Sequence, residues 1–146
     1  MHNILKEKLA QGKQPLGTFV GTASPAVVEC LGCAGLDFVI LDNEHSPVEA
    51  ETTAAMVRAA ELRNVTPLAR VREISRPAIL KLLDVGVQGL IIPDVRGTED
   101  VRRVVDYANM RRWAAAASAP PARTAGEPIP SAACLTPWLT LIRKRW

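Results

Sequence analysis

Aromatic side chains are scarce in this chain: two Phe, one Tyr and three Trp make up 4% of its 146 residues. With no aromatic platform and no basic stripe inside the patterned part, a nucleic-acid partner is not expected. No apolar run is long enough to span a bilayer. The opening stretch, Met1 to Leu9, is charged and amphipathic and lacks the apolar block of a signal peptide. No membrane partner is expected, and a cytoplasmic location is. Cysteine is limited to Cys30, Cys33 and Cys134, an odd number that argues against a structural disulfide. Cys30-Leu-Gly-Cys33 has C-x-x-C spacing but no second pair for a metal and no thioredoxin-like setting. Near the end of an apolar helix, beside Gly32 and Gly35, the two thiols read as small buried hydrophobes. No G-x-G-x-x-G follows the first apolar strand; Gly21-Thr-Ala-Ser24 stands there instead, which gives a dinucleotide site little support.

The net charge of +3 is unevenly spread. Residues 1–108 carry 12 Lys/Arg against 14 Asp/Glu, and residues 109–146 carry six basic groups against Glu127 alone. The basic balance belongs to the tail. Five of the eleven prolines and all three tryptophans (Trp113, Trp138, Trp146) lie there as well, with a run of four alanines. Two readings of 109–146 stand: a disordered Pro/Ala-rich extension, or the product of a shifted reading frame. Codons compatible with Asn109 to Ser118 can be read one frame over as Tyr-Ala-Pro-Val-Gly-Arg-Arg-Gly-Phe.

Residues 1–108 alternate regularly. Asn3 caps a helix to about Gln11, stopped by Gly12. Leu16–Val20 is a strand, and Ser24-Pro25 opens a helix to about Leu31. Asp37–Leu41 is the second strand. Ser46-Pro-Val-Glu49 has the form of a capping box for a helix to about Arg63; its Val48, Ala55, Met56 and Ala59 have helical spacing. Thr66–Arg70 is the third strand. Ser75 or Arg76 begins a helix that ends at Gly86. Gly89–Pro93 is the fourth strand, and Thr98-Glu-Asp caps a last helix. Continuous apolar strands linked by helices give a parallel sheet covered by helices. The fold class is α/β, and two closures fit: an open doubly wound sheet, or half of a (β/α)8 TIM barrel, which usually needs ~250 residues in all.

The second strand ends abruptly in Asp42, Glu44 and His45. Acid–base groups at the carboxyl end of a buried strand stand where α/β folds build active sites. Free imidazole titrates near ~6.5, which suits proton exchange around neutrality. Each group also has a plainer reading. His45 can be a hydrogen-bonded loop residue, Asp42 a turn or cap residue, and Glu44 a supporting or solvated acid. Arg70 can simply pair with Glu44 or Glu73. Arg72 is a second candidate cation beside it. His2, Gln88 and Asp94 read as terminal or structural residues, although Asp94 stands where an apolar side chain is expected after Pro93.

Leu16-Gly-Thr-Phe19, Ser24-Pro-Ala26, Ala34-Gly-Leu-Asp-Phe-Val-Ile-Leu-Asp-Asn-Glu-His45, Pro67-Leu-Ala-Arg-Val71 and Leu82 to Pro93 together resemble the metal-dependent (class II) pyruvate aldolases of the HpcH/HpaI type. The resemblance covers about residues 4–108. It implies the N-terminal half of a (β/α)8 barrel, about four βα units, in a family that forms homo-oligomers, often hexamers. The implied reaction is reversible cleavage of a 4-hydroxy-2-oxo acid to pyruvate and an aldehyde, so the implied partners are a small 2-oxo acid and an aldehyde. A divalent metal, Mg, Mn or Co, stabilises the enolate. By motif, His45 resembles the base that handles the substrate hydroxyl proton. Asp42 resembles the carboxylate that orients the imidazole. Arg70 resembles the substrate-binding cation beside the developing enolate oxygen. The family's metal ligands, a Glu and an Asp on later strands, have no counterpart before residue 109, and Glu127 is in no matching context. The expectation is therefore a carbon–carbon lyase chain with no complete metal site and weak or no activity. The alternative is a non-catalytic truncated half-barrel that self-associates. A flavodoxin-like binding protein is a weaker third reading.

Overall fold

The computed structural model describes residues 3–109. Of the tail read as 109–146, residues 110–146 lie outside the described residues, as do the readings of His2, Glu127 and Cys134. Within them the chain forms α1 (Ile4–Ala10), β1 (Gly17–Val20), α2 (Pro25–Cys33), β2 (Phe38–Asp42), α3 (Ala50–Leu62), β3 (Thr66–Arg70), α4 (Arg76–Asp84), β4 (Gly89–Ile91) and α5 (Thr98–Ala108). Asn3 caps α1 by accepting from the Lys6 N–H, and Ser75 caps α4 by accepting from the Ala78 N–H. Gly12 and Gly86 follow α1 and α4 with φ of 71° and 98°, values that a side chain resists.

The four strands are parallel and lie in chain order, β1-β2-β3-β4. A doubly wound sheet reverses its strand order at a switch point. This sheet does not, which favours the barrel-type closure among the two that the sequence allowed. Alternation along the strands separates two faces. Val39, Leu41, Ala69 and Val71 pack with Val28 of α2, Met56, Val57 and Ala60 of α3, and Ile79 and Leu82 of α4 in one buried core. The other face carries Phe19, Ile40 and Leu68 in register across β1, β2 and β3. Glycines make room on it. A Cβ at Gly17 would meet the Phe38 ring at 2.5 Å, and one at Gly89 would meet Leu68 Cδ2 at 2.7 Å. At the amino ends of the strands α1 is fastened twice. The Leu5 N–H donates to Thr66 Oγ1 at 3.2 Å, and Lys8 Nζ to Asp37 at 2.5 Å.

Three local expectations need correction. The Ser46 capping box does not form. Ser46 instead donates its hydroxyl to the Asp42 carbonyl, and α3 starts at Ala50 with Glu49 as N-cap. Ser24 precedes α2 at the N-cap but makes no side-chain capping bond. Cys30 and Cys33 are exposed, not buried. The buried residue of α2 is Val28, and Leu31, three positions on, packs against the same core. Cys30 and Cys33 fall on the opposite side of that helical period. Asp94 follows Pro93 with φ of 52°; Asp tolerates the left-handed region better than bulky apolar residues do, a reason for the polar residue there. No described helix is long and apolar enough to cross a membrane.

Candidate active site

The parallel register of β2 and β3 places Asp42 directly opposite Arg70 at the carboxyl end of both strands. The pair is a fork: Arg70 Nε donates to Asp42 Oδ1 at 3.0 Å, and Nη2 donates to Oδ2 at 2.6 Å. Two parallel charge-assisted bonds fix orientation as well as distance. Asp42 Oδ1 also accepts the backbone N–H groups of Glu44 at 3.0 Å and His45 at 3.2 Å. One buried carboxylate thus ties strand, loop and guanidinium together. Arg70 holds its carboxyl down to about 2, assisted by the His45 and Glu44 N–H groups and opposed by desolvation.

Glu44 joins the cluster from the loop. Its Oε2 lies 3.2 Å from Arg70 Nε, and its Oε1 lies 3.7 Å from His45 Nε2. The imidazole is 68% exposed, whereas the Arg70 side chain is 22% exposed. The Arg70 guanidinium carbon stands 5.2 Å from the centroid of the Phe19 ring, so β1 supplies a cation–π floor. Among the described residues, Nη1 of Arg70 carries no hydrogen bond. Arg72, the other candidate cation, is engaged elsewhere. Its Nη2 donates to Glu49 Oε1 at 2.9 Å and its Nε to the Asn43 carbonyl at 3.3 Å, on the exposed side of the loop.

Asp42, His45 and Arg70 therefore come together at one rim. The role implied for Asp42 differs in one respect: its carboxylate holds the backbone N–H of His45, and Glu44, not Asp42, is the acid beside the imidazole. Arg70 pairs with Asp42 and Glu44, and Glu73 is not among its partners. The sequence reading also missed Asn43 and Thr53. Asn43 is buried; its N–H donates to the Arg70 carbonyl at 3.1 Å, extending the ladder past the strand end. Its Oδ1 accepts from Thr53 Oγ1 at 3.0 Å, which anchors the loop after β2 on α3. An apolar run that continues into Asp-Asn hints at such a polar plug, but the partner ten residues on is not legible without the fold.

Among the described residues no group of three or more His, Cys, Asp or Glu side chains converges, and the two rim carboxylates, Asp42 and Glu44, are both engaged by Arg70.

Acid should loosen this domain in a defined window. Asp42 is held at about 2 against an ordinary 3.8, chiefly by Arg70. Asp37 is lowered as well, chiefly by Lys8 and then by the Leu16 N–H. A carboxyl that titrates lower when folded adds stability that is complete above its unfolded value and is lost as pH falls through its folded value. The thermal midpoint should therefore fall steeply between about pH 4 and pH 2. Asp42→Asn should start lower and show a shallower drop, measured by circular dichroism melts. An unchanged slope in that variant would remove Asp42 from the account.

Residues 16–117 match the family model HpcH/HpaI aldolase/citrate lyase. A hydroxypyruvate/pyruvate aldolase of Deinococcus radiodurans is 33% identical over 72% of this chain and 38% of its own length. A 4-hydroxy-2-oxo-heptane-1,7-dioate aldolase of Salmonella dublin is 32% identical over 72% and 40%. Among solved structures, the citrate synthase SbnG superposes with a TM-score of 0.68 and 36% identity, over 71% of this chain and 42% of that one. An HpcH/HpaI aldolase of Desulfitobacterium hafniense superposes with a TM-score of 0.71 and 28% identity, over 99% and 53%. These neighbours are TIM-barrel proteins, and the chain spans about 40% of the length of the curated relatives it matches. With a family model matching well over half its length and strands laid in barrel order, this chain belongs to the HpcH/HpaI aldolase/citrate lyase family.

Proposed function

We propose that residues 3–109 carry the proton-transfer and anion-stabilising half of an aldolase site. The site would cleave a 4-hydroxy-2-oxo acid to pyruvate and an aldehyde. The observation that carries this reading is the fork between Arg70 and Asp42, with His45 on the adjoining loop at the same rim. In the reaction His45 takes the proton of the C4 hydroxyl as the C3–C4 bond breaks. The electron pair moves into the C2–C3 enolate, and Arg70 Nη1 faces its oxygen. Protonation at C3 then gives pyruvate, and C4 leaves as the aldehyde carbon. Fixed donors aimed at developing charge are commonly the largest contribution to such catalysis. The family's divalent metal would add Lewis-acid stabilisation of the enolate. With no cluster of three or more ligating side chains among the described residues, the chain by itself is expected to turn over weakly or not at all. The proposed setting is the cytoplasm, with homo-oligomers as in the family.

The test has two arms. The purified chain is incubated with a 4-hydroxy-2-oxo acid and Mg²⁺, Mn²⁺ or Co²⁺, and pyruvate is followed by coupled reduction. A trace rate abolished by EDTA is expected; robust turnover would refute the incomplete-site claim. In the second arm, residues 1–108 replace the matching part of the Deinococcus relative. This chimera is expected to release pyruvate, and a folded but silent chimera would count against the aldolase reading.

The second reading, a half-barrel that self-associates without catalysis, is favoured by the sheet's edges. Among the described residues β1 and β4 each pair with one neighbour, and Leu16 and Phe19 beside the β1 edge are 67% and 53% exposed. Open parallel edges invite pairing. Light scattering on the eluted chain should give a dimer or larger, and a stable monomer would set this reading aside.

A further inference from the structure

Cys30 and Cys33 lie far from the rim, at the carboxyl end of α2 and hence near the amino end of β2. Three residues apart on one helix, they face the same way, with Cβ atoms about 5–6 Å apart by helical geometry. Both are exposed, and they line one shallow hollow with Ala26, Glu29 and Arg63. Gly32, between them, seats the Arg63 stem: a Cβ there would meet Arg63 Cβ at 2.5 Å. Arg63 Nη2 donates to Glu29 Oε2 at 2.9 Å across the hollow. Its guanidinium is held protonated more firmly than usual, first by Glu29 and next by Cys33, so a positive charge stands beside the sulfurs.

We propose that Cys30 and Cys33 form a two-coordinate site for a soft, thiophilic cation of the Cu(I) class. The spacing suits this ligand. A disulfide needs Cβ atoms about 3.8 Å apart, closer than the roughly 5–6 Å of an i, i+3 pair on a regular helix. Two metal–thiolate bonds of roughly the zinc–thiolate length, about 2.3 Å, set in line would place the sulfurs about 4.6 Å apart, within reach of side chains whose Cβ atoms stand about 5–6 Å apart. A tetrahedral zinc site wants more ligands, and no third converges among the described residues. Soft thiolates favour Cu(I) among biological cations. Two thiolates and one monovalent cation leave a net negative complex, and Arg63, although paired with Glu29, is the cation lining the same hollow. Binding releases the two thiol protons to solvent, with no change of oxidation state.

The test uses the full chain, reduced and kept anaerobic, titrated with Cu(I) held by the coloured chelator bicinchoninate. One Cu(I) per chain should transfer to the protein, and Cys134→Ser should transfer it equally well. Cys30→Ser and Cys33→Ser should each weaken transfer at least tenfold, and Arg63→Gln severalfold. If a serine variant misfolds by circular dichroism, blocking the thiols of the folded Cys134→Ser chain with N-ethylmaleimide supplies the same comparison. Transfer that survives loss of both thiols, transfer that needs Cys134, equally tight Zn²⁺ binding, or a ready Cys30–Cys33 disulfide by mass spectrometry under air would each overturn the proposal.

Discussion

Arg70→Lys in the chimera is expected to lower kcat/KM for aldol cleavage by about a hundred- to a thousandfold. The domain should stay folded. The reason is geometric. Arg70 spends Nε and Nη2 on Asp42 and still presents Nη1. A lysine ammonium is a compact point charge and cannot hold both carboxylate oxygens while offering a third nitrogen to the substrate. The stack on Phe19, 5.2 Å from ring centroid to guanidinium carbon, also loses its planar partner. Arg70→Ala should be worse in a second way. It leaves the Asp42 carboxylate, 7% exposed, without its cation. Losing charge-assisted bonds of this kind costs about 2 kcal/mol, read as a lower thermal midpoint. Lysine should recover most of that stability and little of the turnover. If Arg70→Lys keeps near-normal turnover, the forked geometry is irrelevant to catalysis.

His45→Ala in the same chimera is expected to reduce kcat by about a hundred- to ten-thousandfold, the usual range for a positioned general base. Stability should hardly move, because the side chain is 68% exposed and, among the described residues, its one ionic contact is Glu44 at 3.7 Å. The split between activity and stability separates His45 from Asp42. Asp42→Asn should damage both, since Asp42 holds Arg70 and the backbone of the His45 loop at once. Glu44→Gln should have a smaller effect on kcat than either. An unchanged kcat in His45→Ala would return this residue to its plainer reading as a loop residue.

The parts of the fold set by local chemistry were legible in the sequence. The apolar runs at β2 and β3, the Asn3 cap, the start of α4 at Ser75 or Arg76, and the glycines after α1 and α4 each follow from short-range rules. The misreadings arose where a side chain chose between two partners. Ser46 resembles a capping residue, yet the strand-end carbonyl of Asp42 takes its hydroxyl and α3 begins four residues later. Asp42 faces Arg70 because β2 and β3 align Phe38 with Thr66. No spacing within either strand discloses that register. The frequent burial of cysteine points to core thiols in α2. Continuing the period from Val28 through Leu31 would have turned them outward.

The most direct check on the shared rim is proton exchange into pyruvate, followed by NMR in D₂O with the chimera and its metal. Loss of the methyl proton signal reports enolate formation alone, without the aldehyde. The intact chimera is expected to exchange these protons, and Arg70→Ala to slow the exchange about a hundredfold or more. Equal exchange rates in the two proteins would contradict the claim that this guanidinium steadies the enolate.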